Sequence, residues 1–93
     1  MKTLSIVIPA FNEENTILDI INKVQSVKLH GGIQKELIIV NDCSTDLTED
    51  HVNEFIKKNP KVTIAYHKHE KNKGKGAALT TGFSMATGNF VVV

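Results

Sequence analysis

Short β-branched runs alternate along this chain with longer stretches in which apolar residues recur every three or four positions. Thr3 to Ile8 is an apolar run without helical period, bounded by Pro9, and predicts a strand buried on both faces. From Glu14 to Leu29 the period changes: Ile17, Leu18, Ile20, Ile21, Val24 and Val27 draw one apolar stripe, which predicts a helix with Asn12 or Asn15 as cap and Gly31-Gly32 as terminator. Glu36 to Val40 is a second strand. A turn rich in Asn, Asp, Ser and Thr follows, with Asx turns expected at Asn41 and Asp42. Then comes a helix from about Thr48 to Asn59, with Val52, Phe55 and Ile56 inward and Asn59-Pro60 closing it. Val62 to Tyr66 reads as a third strand, His67 to Lys75 as a polar loop and Ala77 to Ala86 as a short helix in which Phe83 and Met85 serve packing. Phe90 to Val93 reads as a fourth, buried strand.

Strands alternating with helices imply right-handed crossovers and a parallel sheet, and continuous apolar strands imply helices on both faces. The expected fold is therefore an α/β, Rossmann-like, three-layer α/β/α sandwich. Two crossovers running one way from the first strand and a third crossing back give the strand order 3-2-1-4. Ligands of such sheets bind beyond the carboxyl ends of the strands, and the three polar stretches of this chain all fall there.

Composition narrows the function. Ninety-three residues make one domain at most, with apolar and charged fractions (41% and 23%) that exclude a disordered or collagen-like chain. A net charge of +1 supplies no field for steering toward nucleic acid, so no nucleic-acid partner is expected. All eleven basic residues are Lys, so an anion must be met by a point charge or by backbone N–H groups rather than by a guanidinium fork. The single Cys43 fits a reducing compartment and is read as a small turn residue, and the apolar run Leu4 to Ile8 is too short for a leader or a membrane span. The expected location is cytoplasmic, including the cytoplasmic face of a membrane. Because the sequence stops on a bare apolar strand, residues 1–93 are expected to be the amino-terminal part of a larger domain.

Three stretches carry candidate chemistry. In Pro9-Ala10-Phe11-Asn12-Glu13-Glu14 the acidic pair suits a helix N-terminus, while Phe11 stands at the mouth of a strand where an aromatic packs against a base or sugar. In Asn41-Asp42-Cys43-Ser44-Thr45-Asp46, Asp42 is placed to accept from a ring N–H or a ribose hydroxyl, whereas Asp46 and Thr48 suit a helix cap. Asn72-Lys73-Gly74-Lys75-Gly76-Ala77-Ala78 is neither a P-loop, since Gly76 follows Lys75, nor a dinucleotide fingerprint, since Leu79 stands where a third small residue is required. What remains is a loop whose glycines let backbone approach a ligand, with Lys71, Lys73 and Lys75 as candidate phosphate partners. His67 and His69 alternate on an extended segment whose charged neighbours Lys68, Glu70 and Lys71 suggest a solvated rim rather than a metal pair.

With these three stretches in order, followed by Gly82 and Ala86-Thr87-Gly88, the chain resembles the amino-terminal part of the family 2 glycosyltransferases. These are inverting enzymes of GT-A type, and the likeness is greatest to the polyprenol- and dolichol-phosphate hexosyltransferases. The resemblance covers essentially the whole chain. It implies that Pro9, Ala10, Phe11 and Glu13 line the nucleoside pocket of a nucleotide-sugar donor, that Asp42 contacts the base, and that Lys75 with Gly76 lies near the ribose or diphosphate. Members often read Asp-Asp-Gly-Ser where this chain has Asn41-Asp42-Cys43-Ser44; Cys43 takes the place of the turn glycine. The family's metal-binding Asp-x-Asp would follow a strand like Phe90 to Val93, and its catalytic base lies further on. No metal ligand and no catalytic residue is therefore assigned within these residues, and a divalent metal (Mg or Mn) is expected only in a full-length enzyme.

The reading that results is hexosyl transfer from a UDP- or GDP-hexose to a polyprenyl phosphate or a glycan, with residues 1–93 supplying the nucleoside-diphosphate pocket and inactive alone. The alternative is a non-catalytic nucleotide-binding or interaction module. Phe90-Val91-Val92-Val93 has neither charge nor proline, so self-association through that edge strand is also expected.

Overall fold

The computed structural model describes residues 2–93. Four strands and three helices alternate: β1 (Thr3–Ala10), α1 (Ile17–Ser26), β2 (Gln34–Asn41), α2 (Thr48–Lys58), β3 (Ile64–Lys68), α3 (Lys75–Met85) and β4 (Phe90–Val92). The sheet has the order β3-β2-β1-β4, and every pairing is parallel. Strand order and parallel sense agree with the reading of the sequence.

β1, β2 and β3 each contribute to two cores because their side chains alternate between faces. Ile8, Leu37 and Ile39 meet Ile17, Ile21 and Val52 of α1 and α2 on one face. Val7, Ile38 and Val40 meet Ala78 of α3 on the other. Leu37-Ile38-Ile39-Val40 is thus apolar throughout because both faces of β2 are covered. Helix α3 lies close against β1 at Gly82, where an added Cβ would stand 2.3 Å from Cγ1 of Val7.

Several boundaries differ from expectation. Pro9 lies inside β1 rather than ending it. Helix α1 spans ten residues, not the sixteen that its apolar period suggested, and neither Asn12 nor Asn15 caps it; Thr16 stands at the N-cap with no side-chain bond. Its C-terminus is closed by tertiary structure instead of by Gly31-Gly32. The ammonium of Lys35, on β2, donates to the carbonyls of Val24 (3.0 Å), Gln25 (2.5 Å) and Val27, at the negative end of the helix dipole. β4 is exposed along its length rather than buried, and Phe83 is 48% exposed while Met85 packs against the α3-side core.

At the amino ends of the strands Glu36 forms a latch. Its carboxylate accepts from Ser5 Oγ (3.0 Å), from the Thr87 N–H (3.2 Å) and from the Thr87 hydroxyl, while Gly88 N–H donates to Ser5 Oγ (2.9 Å). The connection between α3 and β4 is thereby tied to β1 and β2. Burial opposes ionisation of Glu36, but the hydrogen bonds from Thr87 and Ser5 outweigh it and hold the carboxyl below its ordinary value.

Candidate functional site

The loops leaving β1, β2 and β3 meet beyond the carboxyl ends of the strands, and hydrogen bonds between them set their positions. Asn12 adopts a left-handed conformation (φ +51°). Its N–H donates to Ser44 Oγ (2.9 Å), and its Oδ1 accepts from the N–H of Thr45 (2.8 Å). Glu13 N–H donates to Thr48 Oγ1 (2.8 Å) and Glu14 N–H to Asp46 Oδ2 (3.2 Å). Asp46 also accepts from the N–H of Thr48 (2.9 Å), the first residue of α2, but Leu47 stands at the N-cap with no side-chain bond, so neither Asp46 nor Thr48 is the cap that the sequence suggested. Asn41 bonds locally, but three residues on rather than the two of an Asx turn: its Oδ1 accepts from the N–H (3.0 Å) and hydroxyl (2.6 Å) of Ser44, while its amide donates to the hydroxyl of Tyr66 (3.0 Å).

Asp42 does not make the expected Asx turn. Its side chain points instead toward the third loop, where Oδ1 accepts from the Lys73 N–H (2.9 Å) and Oδ2 from the Gly74 N–H (2.8 Å). Nδ1 of His69 stands 2.8 Å from the same Oδ1, and Nε2 of His69 stands 2.8 Å from Thr81 Oγ1 on α3. Asp42 and His69 are 3% and 4% exposed, so His69 is a buried partner of the site and not part of a solvated rim. Desolvation pushes the Asp42 carboxyl up, yet the bonds from His69, Lys73 and Gly74 prevail and hold it below the usual carboxylate range. Gly74 makes this arrangement with φ +92°, a backbone conformation costly for any residue with a Cβ.

These three loops enclose an open cavity of about 340 Å³ lined by Pro9, Ala10, Phe11, Glu13, Asp42, Asn72, Gly74, Lys75 and Ala78. Of the residues anticipated from sequence, Pro9, Ala10, Phe11, Glu13, Asp42 and Lys75 converge on it. Gly76 is not among its lining residues; it lies one residue into α3, and Gly74 lines the cavity instead. Phe11 is 43% exposed and offers an apolar face, Asp42 an acceptor, and Lys75 a cation at the first turn of α3. Glu13 accepts from Thr16 Oγ1 (2.8 Å). Lys73 and Lys71 turn away, toward a second hollow shared with His67, Lys68, His69 and Glu70. Sequence reasoning missed His69 and Thr81, because charged neighbours on both sides of His69 mask a residue that turns inward where β3 ends.

A parallel three-layer sheet with a polar-rimmed cavity at its carboxyl edge defines a Rossmann-like, doubly wound class of α/β fold, whose ligands bind at that edge. A family model described as glycosyl transferase family 2 matches residues 5–93, and the chain belongs to that family. It is 32% identical over 95 residues to a dolichyl-phosphate beta-glucosyltransferase of Dictyostelium discoideum, covering 97% of this chain and 29% of that protein. Among solved structures, the mannosyltransferase PcManGT from Pyrobaculum calidifontis in complex with GDP-Man and Mn2+ shares the fold, with a TM-score of 0.88 and 24% identity over 97% of this chain and 26% of that one. Residues 1–349 of S. aureus TarS in complex with UDP superpose with a TM-score of 0.81 and 29% identity, covering 99% of this chain and 26% of that chain. The chain spans less than a third of the length of the curated relatives it matches.

Proposed function

We propose that the cavity between the three loops takes the nucleoside diphosphate part of a nucleotide sugar. The observation that carries this reading is the convergence, on one cavity at the carboxyl edge of a parallel sheet, of an exposed aromatic, a buried carboxylate held ionised, and a lysine at a helix N-terminus. Phe11, with Ala10 and Ala78, supplies the apolar wall for the base. Asp42 accepts from a ring N–H of that base. Glu13 is the acceptor for a ribose hydroxyl, and Lys75 meets the diphosphate together with the free N–H groups that open α3.

Family membership supports glycosyl transfer, and the relative named as a dolichyl-phosphate glucosyltransferase supports a polyprenyl phosphate as acceptor, with a glycan as the other acceptor class. The donor is a UDP- or GDP-hexose, in line with the GDP-Man and UDP held by proteins of this fold. The divalent metal that the resemblance implies finds no cage here: among the described residues no three His, Cys, Asp or Glu side chains come together to hold an ion. We assign no residue of this chain as its ligand. No helix of the described residues is long and apolar enough to cross a membrane.

Titration calorimetry with UDP, GDP and their hexose conjugates tests the reading. Binding of one base class with micromolar affinity is expected; no binding of any of them overturns it. The rival reading, a nucleotide-binding module without chemistry, is separated by radiolabelled hexose transfer to a polyprenyl phosphate in the intact gene product, with residues 1–93 alone expected to bind nucleotide and to transfer nothing.

A further inference from the structure

Resting on that nucleotide reading, we propose that His69 is a specificity-determining positioning residue: acting through Asp42 and tethered by Thr81, it sets the site to select a base that presents a ring N–H. His69 is buried behind the cavity wall, with its two ring nitrogens each 2.8 Å from a single partner, Asp42 Oδ1 and Thr81 Oγ1. An ionised carboxylate only accepts, so the proton of that contact sits on Nδ1 of His69. The Thr81 hydroxyl can donate to Nε2, which leaves this tautomer satisfied at both ends.

The consequence falls on the face of Asp42 that the ligand meets. Oδ1 is filled by two donors, His69 Nδ1 and the N–H of Lys73, whereas Oδ2 holds one bond, from the N–H of Gly74. One acceptor position therefore remains on a carboxylate that lines the cavity and has no proton of its own to give. A uracil or guanine ring offers an N–H to such an acceptor. Cytosine and adenine set a lone pair against it, which repels and leaves the carboxylate unpaired. Without the Nδ1 donor, Asp42 is held by the Lys73 and Gly74 N–H groups alone, and a buried carboxylate with one donor fewer takes up a proton more readily; once protonated it donates as readily as it accepts. The discrimination thus resides in His69 although His69 does not line the cavity.

Two substitutions separate its nitrogens. In His69→Asn the shorter amide places an N–H near the position of Nδ1 and keeps the bond to Asp42. In His69→Gln the amide reaches the position of Nε2 and leaves Asp42 without its donor. Calorimetry with the pairs UDP against CDP and GDP against ADP reads the result. For whichever pair the wild type discriminates, His69→Gln is expected to lower the ratio about tenfold and His69→Asn to keep it within about threefold, the scale of one charged hydrogen bond. In the wild type, ¹⁵N spectra of the imidazole are expected to show Nδ1 protonated, and this measurement stands even where His69→Gln fails to fold. An unchanged ratio in folded His69→Gln, or an Nε2–H tautomer in the wild type, overturns the assignment to His69 while leaving the nucleotide reading in place. Wild-type protein that binds none of the four nucleotides overturns the nucleotide reading, and this assignment with it.

Discussion

The backbone N–H of Gly74 donates to Oδ2 of Asp42 across 2.8 Å, joining residues 32 positions apart in the chain. That bond makes the loop between β3 and α3 one wall of the cavity and the end of β2 another. Asp42 consequently serves twice, as a support for the loop and as an acceptor facing the cavity.

Asp42→Ala is expected to weaken nucleotide binding and to lower stability together. The change leaves the N–H of Lys73 and the Nδ1 of His69 without their acceptor, at about 1–3 kcal/mol for each that water does not reach, while the N–H of Gly74 keeps only Asn72 Oδ1 (3.2 Å). Calorimetric titration of the nucleotide alongside a thermal melt measures both effects. Unchanged affinity with a lowered Tm would reduce Asp42 to a loop support.

Cys43→Gly is expected to stabilise the fold. Cys43 stands at φ +62°, in the left-handed region, where an L side chain costs about 1–2 kcal/mol. Glycine removes that strain but loses more chain entropy, and the weak bond from Sγ to the Glu70 carbonyl (3.4 Å) also goes. A net gain of about 0.5–1 kcal/mol is expected by urea denaturation, against a loss of at least ~1 kcal/mol for Cys43→Val, whose β-branch the left-handed region tolerates least.

Glu36 links stability to acid. Its carboxyl is held below the ordinary value in the folded chain, so its contribution is fully present above the unfolded value and is lost as pH falls through the folded one. Stability measured by denaturant titration should therefore decline as pH drops below about 4.5. Glu36→Gln should be less stable at neutral pH and should show a shallower acid limb. The limb should not vanish, because Asp42 and Asp46 are depressed in the same sense. An acid limb identical to the wild type would dissociate the Ser5–Glu36–Thr87 latch from stability.

The β4 strand pairs with β1 along one edge and shows Phe90, Val91 and Val92 at 40–48% exposure on a segment without charge or proline. Such an edge invites pairing with a second copy. Light scattering over a dilution series is expected to show association of residues 1–93 that Val92→Lys abolishes; a monodisperse monomer at high concentration would rule it out.

Much of the architecture was legible in the sequence. Side-chain period depends on neighbours two to four positions away, and the switch between continuous apolar runs and the three-to-four spacing of Ile17, Ile21 and Val24 is a local signal. Right-handed crossovers then left few topologies open, and the placement of Pro9, Phe11, Glu13, Asp42 and Lys75 at strand ends put them on one edge of the sheet.

Ends and partners were not legible, because they are decided by groups remote in the chain. Helix α1 stops at Ser26 where Lys35 arrives to satisfy its carbonyls, not at the glycines that follow. Asp42 carries the composition of a turn residue, but its hydrogen bonds go to residues 69, 73 and 74, so its role appears only once β3 lies beside β2. His69 sits among lysines and a glutamate that mark a solvated segment, and only the packing of α3 against the sheet buries it between Asp42 and Thr81. The sequence by itself determined the layers, the strand order and the edge that carries the site. Tertiary structure decided which side chains complete that site, since a buried polar group takes whatever donor the folded backbone brings within about 3 Å, at any distance along the chain.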